Sequence, residues 1–171
     1  LGAKRVQTVS IDLVADEIDC GKPDRISPAD RIELAGIESY DYPVYPAERA
    51  VADKACGIVE RHSGRPSSRV KDLVDIVVYA RNVAFGFDTL SAALKTEFSV
   101  RKLASSRTFS TPPEWGDAQA RQYRRLAEQT GTPNHFHDIR NAETLAKKLI
   151  EPCLSDRTDL SVWSTKTLTW E

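Results

Sequence analysis

Two periodicities divide the chain. In "RVQTVSIDLVA" (5–15), Val9, Ile11 and Leu13 face one way and Thr8, Ser10 and Asp12 the other. Alternation of this kind with β-branched residues predicts a strand. "DCGKPDRISPAD" (19–30) is turn chemistry. A second extended piece is expected through "IESYDYPVYP" (37–46), because residues before proline avoid the helical region. Pro46 then suits the first turn of a helix, and "PAERAVADKACGIVERH" (46–62) follows. Its apolar arc is Ala47, Val51, Ala55, Ile58 and Val59, with Lys54 at the edge and Arg61 further along on the same side.

"SGRPSS" interrupts the helical period, and Ser67 or Ser68 is expected to cap a second helix, 68–83. Val70, Leu73, Val74, Val77, Ala80 and Ala84 form its core stripe. Lys71, Asp72, Asp75, Tyr79 and Asn82 cluster on the opposite face. Further helices are expected at 88–104, 112–131 and 137–154, and the tail "DLSVWSTKTLTWE" reads as a short terminal strand bearing Trp163 and Trp170. A small sheet followed by a mostly helical portion predicts an α+β fold.

Composition narrows the class. The 171 residues are 40% hydrophobic and 29% charged with a net charge of −1, a globular profile and not that of a general nucleic-acid coat. No apolar run approaches the roughly 18 residues that span a bilayer. Cys20, Cys56 and Cys153 are odd in number and far apart, which fits a reducing cytoplasm better than a disulfide framework. The chain starts at Leu1 and holds no methionine. It is therefore expected to begin partway through a longer product.

Several polar residues have chemistry to offer. Asp12 on its strand is either an exposed carboxylate or an oxygen ligand held on a rigid sheet, the usual way to present Mg²⁺ with a protein ligand. A lysine at the border of an apolar arc ordinarily snorkels; as a site residue Lys54 would meet phosphates as a point charge. Asp72 and Asp75 lie three apart, where like charges repel by a few tenths of a kcal/mol. The helix dipole accounts for Asp72 in the first turn more readily than for Asp75 in the second. Arg65, Arg69 and Lys71 surround the pair, either to neutralise it or to grip phosphates and an RNA backbone. His135, His137 and Asp138 lack a second cluster at zinc spacing and read as a loop or helix cap. "SDRTDL" (155–160) has the letters of a paired-acid nucleotidyltransferase signature without its preceding Gly-Ser turn, and is set aside.

Taken together, "YPVYPAERAVADKACGIVERHSGRPSSRVKDLVDIVVYA" (42–80) resembles the AbiEii/AbiGii-type nucleotidyltransferase toxins, with an "ADK" helix followed by an R-x-(R/K)-D-x-x-D helix. The resemblance is strong at 42–80 and loose beyond about residue 105. It implies a polymerase-β-like nucleotidyltransferase core, of which 1–83 would be the C-terminal part, and a helical C-terminal portion at 84–171. It implies a bacterial toxin that transfers a nucleotide from an NTP to an acceptor such as tRNA, with Mg²⁺, and that a cognate antitoxin restrains. On matching positions Lys54 and Asp75 would be the essential pair, Asp72 would accompany them, and Asp12 would be the strand carboxylate that binds metal. Arg65, Arg69 and Lys71 would bind nucleotide or RNA.

The family's first motif, a Gly-Ser turn with two closely spaced acids, is absent from these residues, and it is expected upstream of Leu1. Two-metal transfer needs acids for both ions, so the chain alone is expected to be inactive. Two other readings compete. One is a non-catalytic module that binds an antitoxin or other protein. The other is a plain RNA-binding domain built on "RQYRRLAEQ" (121–129) with Tyr123, against which the net charge argues. The transferase reading requires Asp12, Lys54 and Asp75 to converge on one pocket.

Overall fold

Pro46 ends an extended segment and opens a helix. Its φ of −55° is already helical in φ, and α1 runs Ala47–Val59. The computed structural model describes residues 21–27, 40–103, 107–155, 157 and 159–171. The expected strand at 5–15, and Asp12 with it, lies outside the described residues. Of the second extended piece, β2 (Tyr42–Val44) pairs antiparallel with β1 (Asp24–Ile26), Ile26 opposite Tyr42.

α2 spans Val70–Asn82, α3 Phe87–Val100, α4 Asp117–Ala127 and α5 Ile139–Leu154. With the small ribbons these make a mixed α+β fold. α1 packs on α2 and α3, while α5 closes the other side of α2 and α3. Their apolar stripes merge into one core that holds Val51, Ile58, Leu73, Ile76, Leu94 and Leu149, on both sides of residue 83. No helix among the described residues is long and apolar enough to cross a membrane.

Several helix ends differ from expectation for local reasons. α1 stops at Val59, where Glu60 turns extended, so Arg61 leaves the helix. α2 begins at Val70 after Arg69, not at Ser67 or Ser68. Ala84 falls beyond α2 and is exposed, whereas Ile76, outside the expected stripe, is fully buried. The segment 112–116 forms turns ahead of α4, and a left-handed Gly131 (φ 68°) ends the short 3-10 turn Glu128–Thr130 that follows it. α5 passes through Pro152 to Leu154. Asp138 caps α5 by accepting from the Arg140 N–H at 2.8 Å, as its neighbourhood suggested.

Two tertiary locks hold the helices in place. Arg101, at the end of α3, donates to Glu97 (2.7 Å), to Glu60 (3.1 Å) and to Asp53, which ties α3 to α1. The C-terminal hairpin of β3 (Trp163–Ser164) and β4 (Thr169–Trp170) plugs the far end. Trp163 is fully buried there, and its indole N–H donates to the Ala80 carbonyl of α2 at 2.6 Å. Trp170 packs edge-on against it and donates to Leu149 in α5 at 3.1 Å. Cys56 and Cys153 are buried free thiols, and burial pushes that of Cys153 up to about 12.

Candidate functional site at the α1–α2 junction

Lys54 sits in the third turn of α1, on the flank that meets α2. From there its ammonium reaches the Asp75 carboxylate at 2.7 Å and lies 3.6 Å from Asp72. Asp72 and Asp75 lie on the side of α2 turned toward it, one turn apart, so a single cation relieves the repulsion between them. Lys71 approaches Asp75 from the same helix at 2.8 Å, an i,i+4 pair, and Arg69 reaches Asp72 at 3.3 Å. The structure thus brings together Lys54, Lys71, Arg69, Asp72 and Asp75.

These groups differ in exposure. The side chains of Lys54 and Asp75 are 21% and 23% exposed, that of Lys71 70%. Partial burial strengthens the inner pair, since a charge withdrawn from water depends more on its partner. Burial draws the Lys54 pKa down, but the hydrogen bond and charge of Asp75, with the charge of Asp72, outweigh it and hold the ammonium above the usual lysine value. Burial likewise pushes Asp75 up, and the hydrogen bonds from Lys54 and Lys71 overcome it, leaving the carboxyl below its usual range. Both groups therefore stay charged at neutral pH.

The loop between the helices is built as tightly as the helices. His62 and Arg65 exchange backbone hydrogen bonds (3.1 and 3.0 Å) around Ser63 and Gly64, both left-handed at φ 52° and 77°. Two successive residues of positive φ make the turn that best suits a two-residue reversal. Ser67 is buried; its hydroxyl donates to the Gly57 carbonyl at 2.6 Å and accepts from the Arg69 N–H at 3.2 Å. Trp115 donates from its indole to the Ser67 carbonyl at 2.6 Å. Arg61 bonds Gly64 O (3.0 Å) and Glu114 (2.7 Å). The loop frames a depression of about 600 Å³ lined by His62, Arg65, Ser67, Ser68 and Arg69, among others.

Gly57 has a special place in this arrangement. A Cβ there would stand 2.9 Å from Arg69 Nη1, 3.0 Å from Arg69 Cδ and 3.3 Å from Asp72. Glycine leaves the gap through which the Arg69 side chain lies over α1 toward Asp72. Gly57, Ser67 and Trp115 were not among the expected site residues. Nothing in helical spacing marks them, although a glycine three residues after Lys54 in a helix interior is a signal of close approach.

The chemistry such a cluster offers is electrostatic contact with an anionic group. Lys54, Lys71 and Arg69 face two carboxylates, so the cluster is net cationic, while Arg65 lines the loop depression and reaches neither carboxylate. An ammonium has three N–H donors; Asp75 and Asp72 lie against two sides of Lys54, which leaves one for an incoming oxygen. No group of three His, Cys, Asp or Glu side chains among the described residues could hold a metal ion, and Asp72 and Asp75 already face cations. These residues therefore do not themselves fit a metal centre. Tyr123 is fully buried and donates to the Phe136 carbonyl at 2.8 Å, so it offers no stacking surface to a base. That corrects the RNA-binding reading of its helix in one respect.

Comparison with known proteins agrees with the 42–80 signature. No curated protein and no solved structure matches the chain. The sequence model of the family described as "AbiEii: Nucleotidyl transferase AbiEii toxin, Type IV TA system" matches residues 2–150. That span contains α1 to α4, most of α5 and the whole Lys54–Asp75 site, and the chain belongs to this family of type IV toxin–antitoxin nucleotidyltransferase toxins.

Proposed function

We propose that the protein transfers a nucleotide from an NTP to an acceptor hydroxyl, with tRNA as the acceptor class, in the cytoplasm and under the restraint of a cognate antitoxin. In this reaction the acceptor oxygen attacks the α-phosphorus. A new P–O bond forms, the α–β bridging P–O bond breaks, pyrophosphate leaves, and the acceptor proton passes to a base. Negative charge develops on the phosphate oxygens as the bridge breaks. A fixed cation aimed at them lowers the barrier, because its dipoles and partners need no reorganisation.

The observation that carries the proposal is the Lys54 ammonium, half-buried at 2.7 Å from Asp75, on a net cationic surface. Lys54 would neutralise phosphate charge with its remaining donor. Asp75 has two conceivable roles, to orient Lys54 or to accept the acceptor's proton. Two ammonium groups hold its pKa down, which makes it a poor proton acceptor and favours the orienting role. Asp72 would fix the second side of Lys54. Arg65 and Arg69 would hold the triphosphate or acceptor backbone from the loop, and Lys71 would extend that cationic rim. Mg²⁺ belongs to the proposal through Asp12, which lies outside the described residues.

The test is transfer of label from α-³²P-NTPs to tRNA by the longest natural form of the protein. Lys54→Ala and Asp75→Ala should each abolish labelling while the helical circular dichroism is retained. Undiminished labelling by either variant rules the assignment out.

A further inference from the structure

Arg61, Arg69, Arg101 and Arg157 each hold a carboxylate, and Arg81 lies 5.7 Å over the Phe136 ring. Three arginines of α4, like Arg65 in the loop, hold no carboxylate, and unlike it they share one helix face. Arg121, Arg124 and Arg125 are exposed and form no ion pair among the described residues. Asp117 and Glu128 border the same face, which encloses a shallow depression of about 380 Å³, yet neither closes on an arginine. Leaving three guanidinium groups together without partners costs mutual repulsion, and a solvated surface face gains nothing from it.

The position of α4 gives this face a direction. α4 packs alongside α2. The segment that leads into it is pinned to the loop bearing Arg65 and Arg69, through Trp115 on the Ser67 carbonyl (2.6 Å) and Glu114 on Arg61 (2.7 Å). Cationic groups thus extend from the loop beside Lys54 and Asp75 onto the outer face of α4. We infer that this arginine face of α4 docks the sugar–phosphate backbone of an RNA acceptor and leads it toward the α1–α2 site.

The face suits a polyanion better than a protein. Protein interfaces centre on an apolar or aromatic core, and the large side chain α4 possesses, Tyr123, is turned inward and fully buried. Arg121 is three and four residues from Arg124 and Arg125, spacings at which Cβ atoms stand about 5–6 Å apart on one helix face. Planar guanidinium forks suit phosphate oxygens. Such contacts position a backbone without reading its sequence. The chain's net charge of −1 is compatible with this, because the cations are local to one helix and one loop.

What the RNA is for rests on the transferase reading; that it binds here does not. The experiment is fluorescence anisotropy with a labelled tRNA transcript and, separately, labelled poly-glutamate, over a series of salt concentrations. The triple variant Arg121→Gln/Arg124→Gln/Arg125→Gln should weaken tRNA binding about 10-fold or more near physiological salt. Its slope of log K against log salt should become shallower by roughly 2–3, since each arginine neutralises about one phosphate. Arg125→Glu alone, a smaller perturbation of an exposed site, should move both in the same direction. Lys54→Ala should bind tRNA like the wild type while losing transfer. If no form transfers nucleotide but the arginine variants still lose tRNA, the transferase reading fails and the docking face stands. Unchanged affinity and slope in both arginine variants overturn the inference. So does poly-glutamate binding as tight as tRNA and abolished by the same substitutions, which would mark a face for an acidic protein.

Discussion

The Lys54 ammonium and the Asp75 carboxylate meet at 2.7 Å across the α1–α2 interface, 21 residues apart in sequence. Their pKa values move in opposite directions, Lys54 up and Asp75 down, each held charged by the other. The pH dependence follows. A carboxyl lowered in the folded state contributes stability that is complete above its unfolded pKa and lost as pH falls through the folded value. A raised lysine contributes stability that is complete below its unfolded pKa and lost as pH rises through the folded one. The ordinary values of the two groups are 3.8 and 10.5. The stability difference between wild type and Lys54→Met should therefore be flat from about pH 5 to 9 and shrink only below about pH 4 or above about pH 10.5. Urea unfolding across that range checks it. A midpoint shift concentrated near pH 6–7 would show that some other group controls the pair.

Gly57→Ala separates site geometry from stability. Alanine is favoured over glycine in a helix interior by about 1 kcal/mol. Its Cβ would meet the flexible, half-exposed Arg69 side chain, which can swing away. The variant should be as stable as the wild type or melt a few degrees higher. It should nonetheless raise the KM for NTP several-fold, since Arg69 is displaced from Asp72. Thermal denaturation and steady-state kinetics on one preparation make the comparison.

Trp163 lies beyond the 2–150 family span, yet its indole donates to Ala80 in the last turn of the motif-bearing helix. Trp163→Phe retains most of the apolar volume and leaves that carbonyl without its partner, a cost of about 1–2 kcal/mol. Trp163→Ala opens a cavity as well and should cost about 3–5 kcal/mol. Chemical denaturation measures both. Amide exchange should show the loss first at the C-terminal end of α2.

Removal of the Arg101 guanidinium tests the lock between α1 and α3. Arg101→Met leaves Glu97 buried without its cation, the costly half of breaking an ion pair, and should destabilise the fold by about 2–4 kcal/mol. Arg101→Met/Glu97→Gln should recover much of that loss. With Glu97→Gln also measured alone, a double-variant loss equal to the sum of the two single losses would show that the pair is not coupled.

How far the sequence carried depended on range. α1 and α2 were legible because their apolar residues recur at helical spacing, and the same spacing puts Asp72 and Asp75 on one side of α2. That side turns toward Lys54 through a packing contact, which the margin position of Lys54 already suggested. The ends of the helices were not legible. Ser67 reads as an N-cap, but its hydroxyl also reaches back to Gly57, and the helix starts two residues later than a serine cap would set it. Tyr123 reads as part of a basic helix at 121–129, whereas it is fully buried and its hydroxyl donates to Phe136 in the 3-10 turn at 134–137. Arg101 and Trp115 act through residues 41 to 48 positions away, beyond any local pattern. Asp12 lies outside the described residues.

The most direct measurement is a double-mutant cycle on nucleotide transfer with the wild type, Lys54→Ala, Asp75→Asn and the double variant, each shown to be folded. If Asp75 acts by holding Lys54 at the phosphates, each single substitution lowers the transfer rate by about 100-fold or more, and the double variant falls little further. Rates near that of the wild type in either single variant, or two losses that multiply in the double variant, would contradict a Lys54–Asp75 pair acting as one catalytic unit.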